Sequence, residues 1–123
     1  MKLLNRKIVI RFLPLMDKQN VSLVSRGIQK STVTKKGFTE IFLSGKSLSG
    51  LAKKNETWLQ RRNLFLNRQT KNINNKNLFN IDGSPTRYHL SLIAWAYSPD
   101  VTRLKKYIRF EKLKNNQIKK YLG

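Results

Sequence analysis

The sequence predicts a mainly α protein: a small single helical domain with a short N-terminal extended or β segment, an Asn/Lys-rich loop and a basic C-terminal helix. Three observations carry this. Two Ser-Pro pairs, Ser84-Pro85 and Ser98-Pro99, read as successive helix starts. Serine suits the N-cap, and proline suits the first helical position, where its missing N–H has no intrahelical partner. Between the pairs runs LSLIAWAY, residues 90–97, apolar on most sides of a helix, as in a helix buried by its neighbours. Finally, 26 Lys and Arg stand against 6 Asp and Glu, a formal charge of +20 that lies outside this apolar block.

Taken in order, residues 7–13, KIVIRFL, are rich in β-branched side chains. Ile8, Ile10 and Phe12 fall on one face and Val9, Arg11 and Leu13 on the other, and Pro14 ends the run, which predicts a short strand or extended arm. Residues 1–37 thus form a basic N-terminal arm ahead of a helical domain at 38–123. Residues 17–29 leave two options open: Val21, Val24 and Ile28 suit one helix face, and NVSLVS suits a strand. Residues 30–37 are a basic loop.

Residues 38–66 predict two or three short helices. Phe38, Ile41, Phe42, Leu48 and Leu51 form a stripe broken at Gly45. Ser47 caps a second helix that ends near Lys54, and Asn55 caps a third, with Glu56 in its first turn. Trp58, Leu59, Arg62, Phe65 and Leu66 follow at helical spacing. Residues 67–83 are a loop of Asn, Gln and basic residues with a turn at Asp82-Gly83, docked by Phe79 and Ile81. Helices are then expected at about 85–97 and about 99–120, Asp100 lending negative charge to the start of the latter. Val101, Leu104, Ile108 and Ile118 face inward in the last helix, with Arg103, Lys105, Lys106, Arg109, Lys112 and Lys114 on its other side. Leu90, Ile93 and Trp95 are expected to be hidden.

Several function classes find no support. The chain has no cysteine, so thiol catalysis, disulfides and Cys-zinc sites are excluded. No run approaches the roughly 18 apolar residues of a membrane span. Gly45-Lys46-Ser47 matches the end of a P-loop, but the glycine required five residues earlier is Glu40. His89, the single histidine, has no carboxylate pair spaced to hold a metal beside it, and it lies on an apolar helix; a structural role, or a phosphate contact, is expected rather than catalysis. No enzyme activity, cofactor, metal or small-molecule substrate is expected.

The charge says more. It falls in three blocks, at residues 1–36, 53–76 and 103–120, with one acid in each (Asp17, Glu56 and Glu111). A membrane-surface protein concentrates charge on one face of one amphipathic helix. Charge in three blocks suits a polyanion that surrounds the chain. Arg61, Arg62, Arg68, Lys71 and Lys76 run into the Asn-rich loop, a composition suited to phosphate and 2′-OH contacts. Arg103, Lys106, Arg109, Lys119 and Lys120 are further candidate phosphate contacts, and Arg87 with Tyr88 is expected to touch RNA from the edge of the apolar block. Tyr88 and Tyr121, at element ends among basic residues, are candidate base-stacking rings. Residues 47–63, SLSGLAKKNETWLQRRN, also have the rhythm of a helix-turn-helix, in which Arg61 and Arg62 would enter a DNA groove.

Small, basic and Cys-free, with an extended arm, an Asn/Lys loop and a basic C-terminal segment around a modest core, the chain resembles ribosomal proteins in overall character. That resemblance implies a structural RNA-binding subunit of a large ribonucleoprotein, which neutralises and bridges rRNA beside neighbouring proteins, with no membrane partner. Heavy use of Lys (17) and Asn (12) suits an AT-rich organelle or viral genome, and residues 1–31 resemble a mitochondrial transit peptide that is expected to be retained. A mitochondrial ribosome is therefore the expected location. The alternative is a viral or phage DNA-binding or packaging protein using the helix-turn-helix-like region.

Overall fold

Asn5 opens the first element. Its side chain accepts the Lys7 N–H at 2.8 Å and caps α1, Arg6–Lys18. The computed structural model describes residues 2–22, 37–71, 73 and 77–111. Over these the chain is mainly helical, in the order α1, α2 (Phe38–Leu43), β1 (Leu51–Lys53), β2 (Glu56–Thr57), α3 (Trp58–Thr70), α4 (Arg87–Ala94) and α5 (Val101–Glu111). This is the predicted class, a small helical domain, with one two-stranded sheet.

The strand expected at residues 7–13 is instead the body of α1, and Pro14 lies inside that helix. The alternation of Ile8, Ile10 and Phe12 hid a second pattern. Val9, Phe12, Leu13 and Met16 recur at helical spacing and all are buried. Proline deprives one helical carbonyl of its partner. Burial of this face, largely against α4, outweighs that loss. The segment expected to be an arm is thus part of the common core.

Residues 51–57 correct a second expectation. They form an antiparallel hairpin, Leu51 opposite Thr57 and Lys53 opposite Glu56, with Lys54-Asn55 as its turn. No helix runs from Ser47 to Lys54, and Asn55 caps nothing. The cap of α3 is Thr57, whose hydroxyl accepts the Gln60 N–H while Gln60 returns a bond to the Thr57 N–H. The helix-turn-helix pattern is therefore absent at 47–63. Gly45, at φ +79°, closes α2 in the left-handed region, so Gly-Lys-Ser marks a helix end rather than a phosphate loop.

Both Ser-Pro pairs lie two residues ahead of the true helix starts. Thr86 caps α4 by accepting the His89 N–H. Asp100 accepts the Arg103 N–H at 3.0 Å at the head of α5. Pro85 instead bridges to Phe79, closing a loop whose turn contains Gly83 at φ +89°. Phe79 docks as expected, but Ile81 is fully exposed at the tip of that loop.

The apolar block is the hub of the fold. Leu90, Ile93 and Ala94 have no exposure and Trp95 has 5%. Trp95 stacks between Phe38 and Phe65, at centroid distances of 4.9 and 4.4 Å. α4 ends in a Schellman motif, Tyr97 N–H to Leu92 O and Ala96 N–H to Ile93 O, with Ala96 at φ +59°. Three other segments satisfy its last carbonyls: Thr39 Oγ1 bonds Ala94 O, Arg62 bonds Trp95 O, and the Leu4 N–H bonds Ala96 O.

Candidate nucleic-acid interface

α3 sorts its side chains by helical periodicity. Trp58, Arg62 and Leu66, four residues apart, are all buried and form the inner face. Arg61, Leu64, Arg68 and Lys71, at steps of three and four, lie on the other side. There they meet the hairpin. Lys53, Glu56, Arg61, Leu64, Asn67, Arg68 and Lys71 line a half-open groove of about 530 Å³.

Four cations and one acid line this groove. Glu56 lies 4.0 Å from Lys53, its neighbour across the hairpin turn, and offsets one positive charge at the rim. The Arg61 guanidinium sits 5.9 Å from the centre of the Trp58 ring, a cation–π contact that orients it. The far end of α3 is pinned by Tyr88, whose hydroxyl donates to Gln69 O at 2.6 Å. Arg61, Arg68 and Lys71, expected as phosphate contacts, are thus brought together. Lys53 joins them and was missed, because as part of a helix it would not face α3. The cue was local: two polar residues, Lys54-Asn55, separate Lys53 from Glu56 as in a hairpin turn.

Arg62 corrects the sequence reading. It has no exposure, and its guanidinium is spent inside the fold. Nε donates to Trp95 O at 2.8 Å, Nη2 to Ala96 O at 3.0 Å and Lys2 O at 3.1 Å, and Nη1 to Asn63 Oδ1 at 2.9 Å. Burial lowers its pKa to about 10, still high enough to keep the charge at neutral pH. The carbonyl-rich C-terminal end of α4 favours a cation there. No phosphate can reach it. Its place in the Trp58–Arg62–Leu66 stripe was the signal available in the sequence.

The remaining candidates are dispersed. Arg87 is exposed and donates to Asn20 O at 2.7 Å, tying α4 to the end of α1. Tyr88 is half-buried with its hydroxyl engaged, and burial raises its pKa. That hydroxyl bond makes it a strut between α4 and α3. On α5, Arg103, Lys106 and Arg109 recur every three residues and all are exposed, while Leu104 is buried beneath them. The Arg103 guanidinium carbon lies over Phe79, 3.9 Å from the ring centre. Lys76, Lys119, Lys120 and Tyr121 lie outside the described residues.

His89 is built in as a structural group. It is buried, edge-on to Phe79, with Nδ1 2.9 Å from Leu78 O and Nε2 2.7 Å from Ser98 Oγ. A carbonyl only accepts, so Nδ1 carries the proton and Nε2 accepts from Ser98. Burial lowers its pKa, with Arg103 adding to the effect and Asp100 opposing it. Among the described residues no helix is long and apolar enough to cross a membrane, and no three His, Cys, Asp or Glu gather as a metal site. No protein-family model, curated protein or solved structure matches the chain.

Proposed function

We propose that this chain is a structural RNA-binding subunit of a large ribonucleoprotein, an organellar ribosome, and that the groove between the hairpin and α3 is its phosphate-contacting surface. The observation that carries the reading is the gathering of Lys53, Arg61, Arg68 and Lys71 around one groove with a single opposing acid. Such a surface gains most from a polyanion, because each neutralised phosphate releases bound counterions. The exposed row Arg103, Lys106 and Arg109 on α5 supplies a second basic strip, which suits bridging between RNA segments rather than one small ligand.

The DNA-packaging alternative leaned on a helix-turn-helix, and the hairpin at 51–57 removes that support. The choice of a mitochondrial ribosome rests on composition: the Lys and Asn usage of an AT-rich genome together with the net charge. The test is to purify the particle that contains the chain and digest it with RNase or with DNase. Release by RNase is expected; release by DNase alone overturns the proposal.

A further inference from the structure

We infer that the hairpin–α3 groove reads the sugar as well as the phosphate, with Asn67 as the group that favours RNA over DNA; this rests on the RNA-binding reading above. Consider what each lining side chain offers. Arg61, Arg68, Lys71 and Lys53 are donors only, and they serve the phosphates of RNA and DNA equally. Glu56 faces Lys53. Asn67 is the one neutral polar side chain in the lining, and it offers both a donor and an acceptor. The 2′-hydroxyl is likewise both donor and acceptor, and it is the backbone group that separates RNA from DNA.

The rest of the groove fits a sugar-phosphate chain better than a base. No aromatic side chain lines it, since Trp58 is buried beneath Arg61, so the groove offers no aromatic platform for base stacking. Leu64 lies on the same helix face between Arg61 and Arg68 and is 53% exposed. It gives an apolar seat for the ribose between two phosphate-binding cations. Asn67 stands one turn beyond Leu64 and one turn before Lys71, in the body of a helix tied down at its C-terminal end by Tyr88. A backbone running along α3 therefore meets charge, apolar surface, amide and charge in turn, with no feature that depends on base identity.

The test uses the full chain with short oligouridine and oligodeoxyuridine, probes that differ only at the 2′ position. The wild type should bind the RNA about three- to tenfold more tightly, the range of one net hydrogen bond. Asn67→Leu, at an exposed position in the body of α3, should bring the two affinities together without changing the salt slope. Arg68→Ala should weaken both probes and keep their ratio. Equal binding by the wild type, or a preference that survives Asn67→Leu, overturns the inference while the groove remains a phosphate site. Failure of either probe to bind in a salt-dependent way overturns the RNA-binding reading and this inference with it.

Discussion

The inner face of α3 holds Trp58, Arg62 and Leu66, and the outer face presents Arg61, Leu64, Arg68 and Lys71. Each face uses arginine, for opposite ends. Arg62 has given up water for the carbonyls of Lys2, Trp95 and Ala96, and it locks the N-terminal segment, α3 and the end of α4 together. Arg61 is only half-buried, leans on Trp58 and lines the open groove. A buried charge is tolerable when its donors are matched, and costly once they are not. An exposed one adds little to folding but stays available to a partner. On the proposed reading, stability and binding are assigned to adjacent residues, and they should separate cleanly under mutation.

The largest effect is expected at Arg62. Arg62→Met should lose about 2 kcal/mol or more of stability in chemical denaturation, because the buried Trp95 carbonyl is orphaned and the ties to Lys2 and Ala96 are cut. Arg62→Lys should recover little, since an ammonium cannot span the carbonyls that the guanidinium fork reaches. A near-neutral Arg62→Met would break the comparison. Next comes the other buried titratable group of the core. His89 is held neutral, with its folded pKa below the ordinary value of about 6.5. The unfolded chain then binds the proton first, so stability should be full above that pH. Below it, stability should fall, by at most about 1.4 kcal/mol per unit, until the folded pKa is reached. In His89→Gln that part of the pH dependence should vanish.

The outer face should behave in reverse. Arg61→Ala, Arg68→Ala and Lys71→Ala together should change stability by less than about 0.5 kcal/mol per site. They should lower the slope of log affinity against log salt by about 2 to 3 units. An unchanged slope would show that the groove does not meet phosphates. The smallest effect is expected at the rim. Glu56→Gln removes the groove's one acid and should raise RNA affinity by about twofold at low salt, fading as salt screens the site. Pairing Arg61→Ala with Arg62→Ala, by contrast, would confound the two faces, because the second change destabilises the core on which the first sits.

Much of the fold was legible locally. The burial of Leu90, Ile93 and Trp95, the helix break at Gly45 and the turn at Asp82-Gly83 follow from runs of a few residues. The helix starts were nearly right but two residues early. Thr86 and Asp100 accept N–H groups from the first turns that follow them. Serine with proline looked the stronger signal, yet Ser84 and Pro85 are buried in the preceding loop. In the candidate site, Arg61, Arg68 and Lys71 could be named from charge and spacing. Lys53 had only the Lys54-Asn55 turn as a cue, because a hairpin of two very short strands leaves too few residues to show a period of two.

By itself the sequence determined the helical class, the best-buried block and a strongly basic charge balance. Each depends on totals or on neighbours within a turn. Tertiary structure decided the rest. Residues 7–13 carry both a strand-like and a helix-like pattern, and packing on α4 selected the helix despite Pro14. Arg61 and Arg62 are the same residue one step apart, a rotation of about 100° on a helix. Which of them turns inward was settled by the open carbonyls at the end of α4, some thirty residues away in sequence, because only matched acceptors make the burial of a guanidinium affordable.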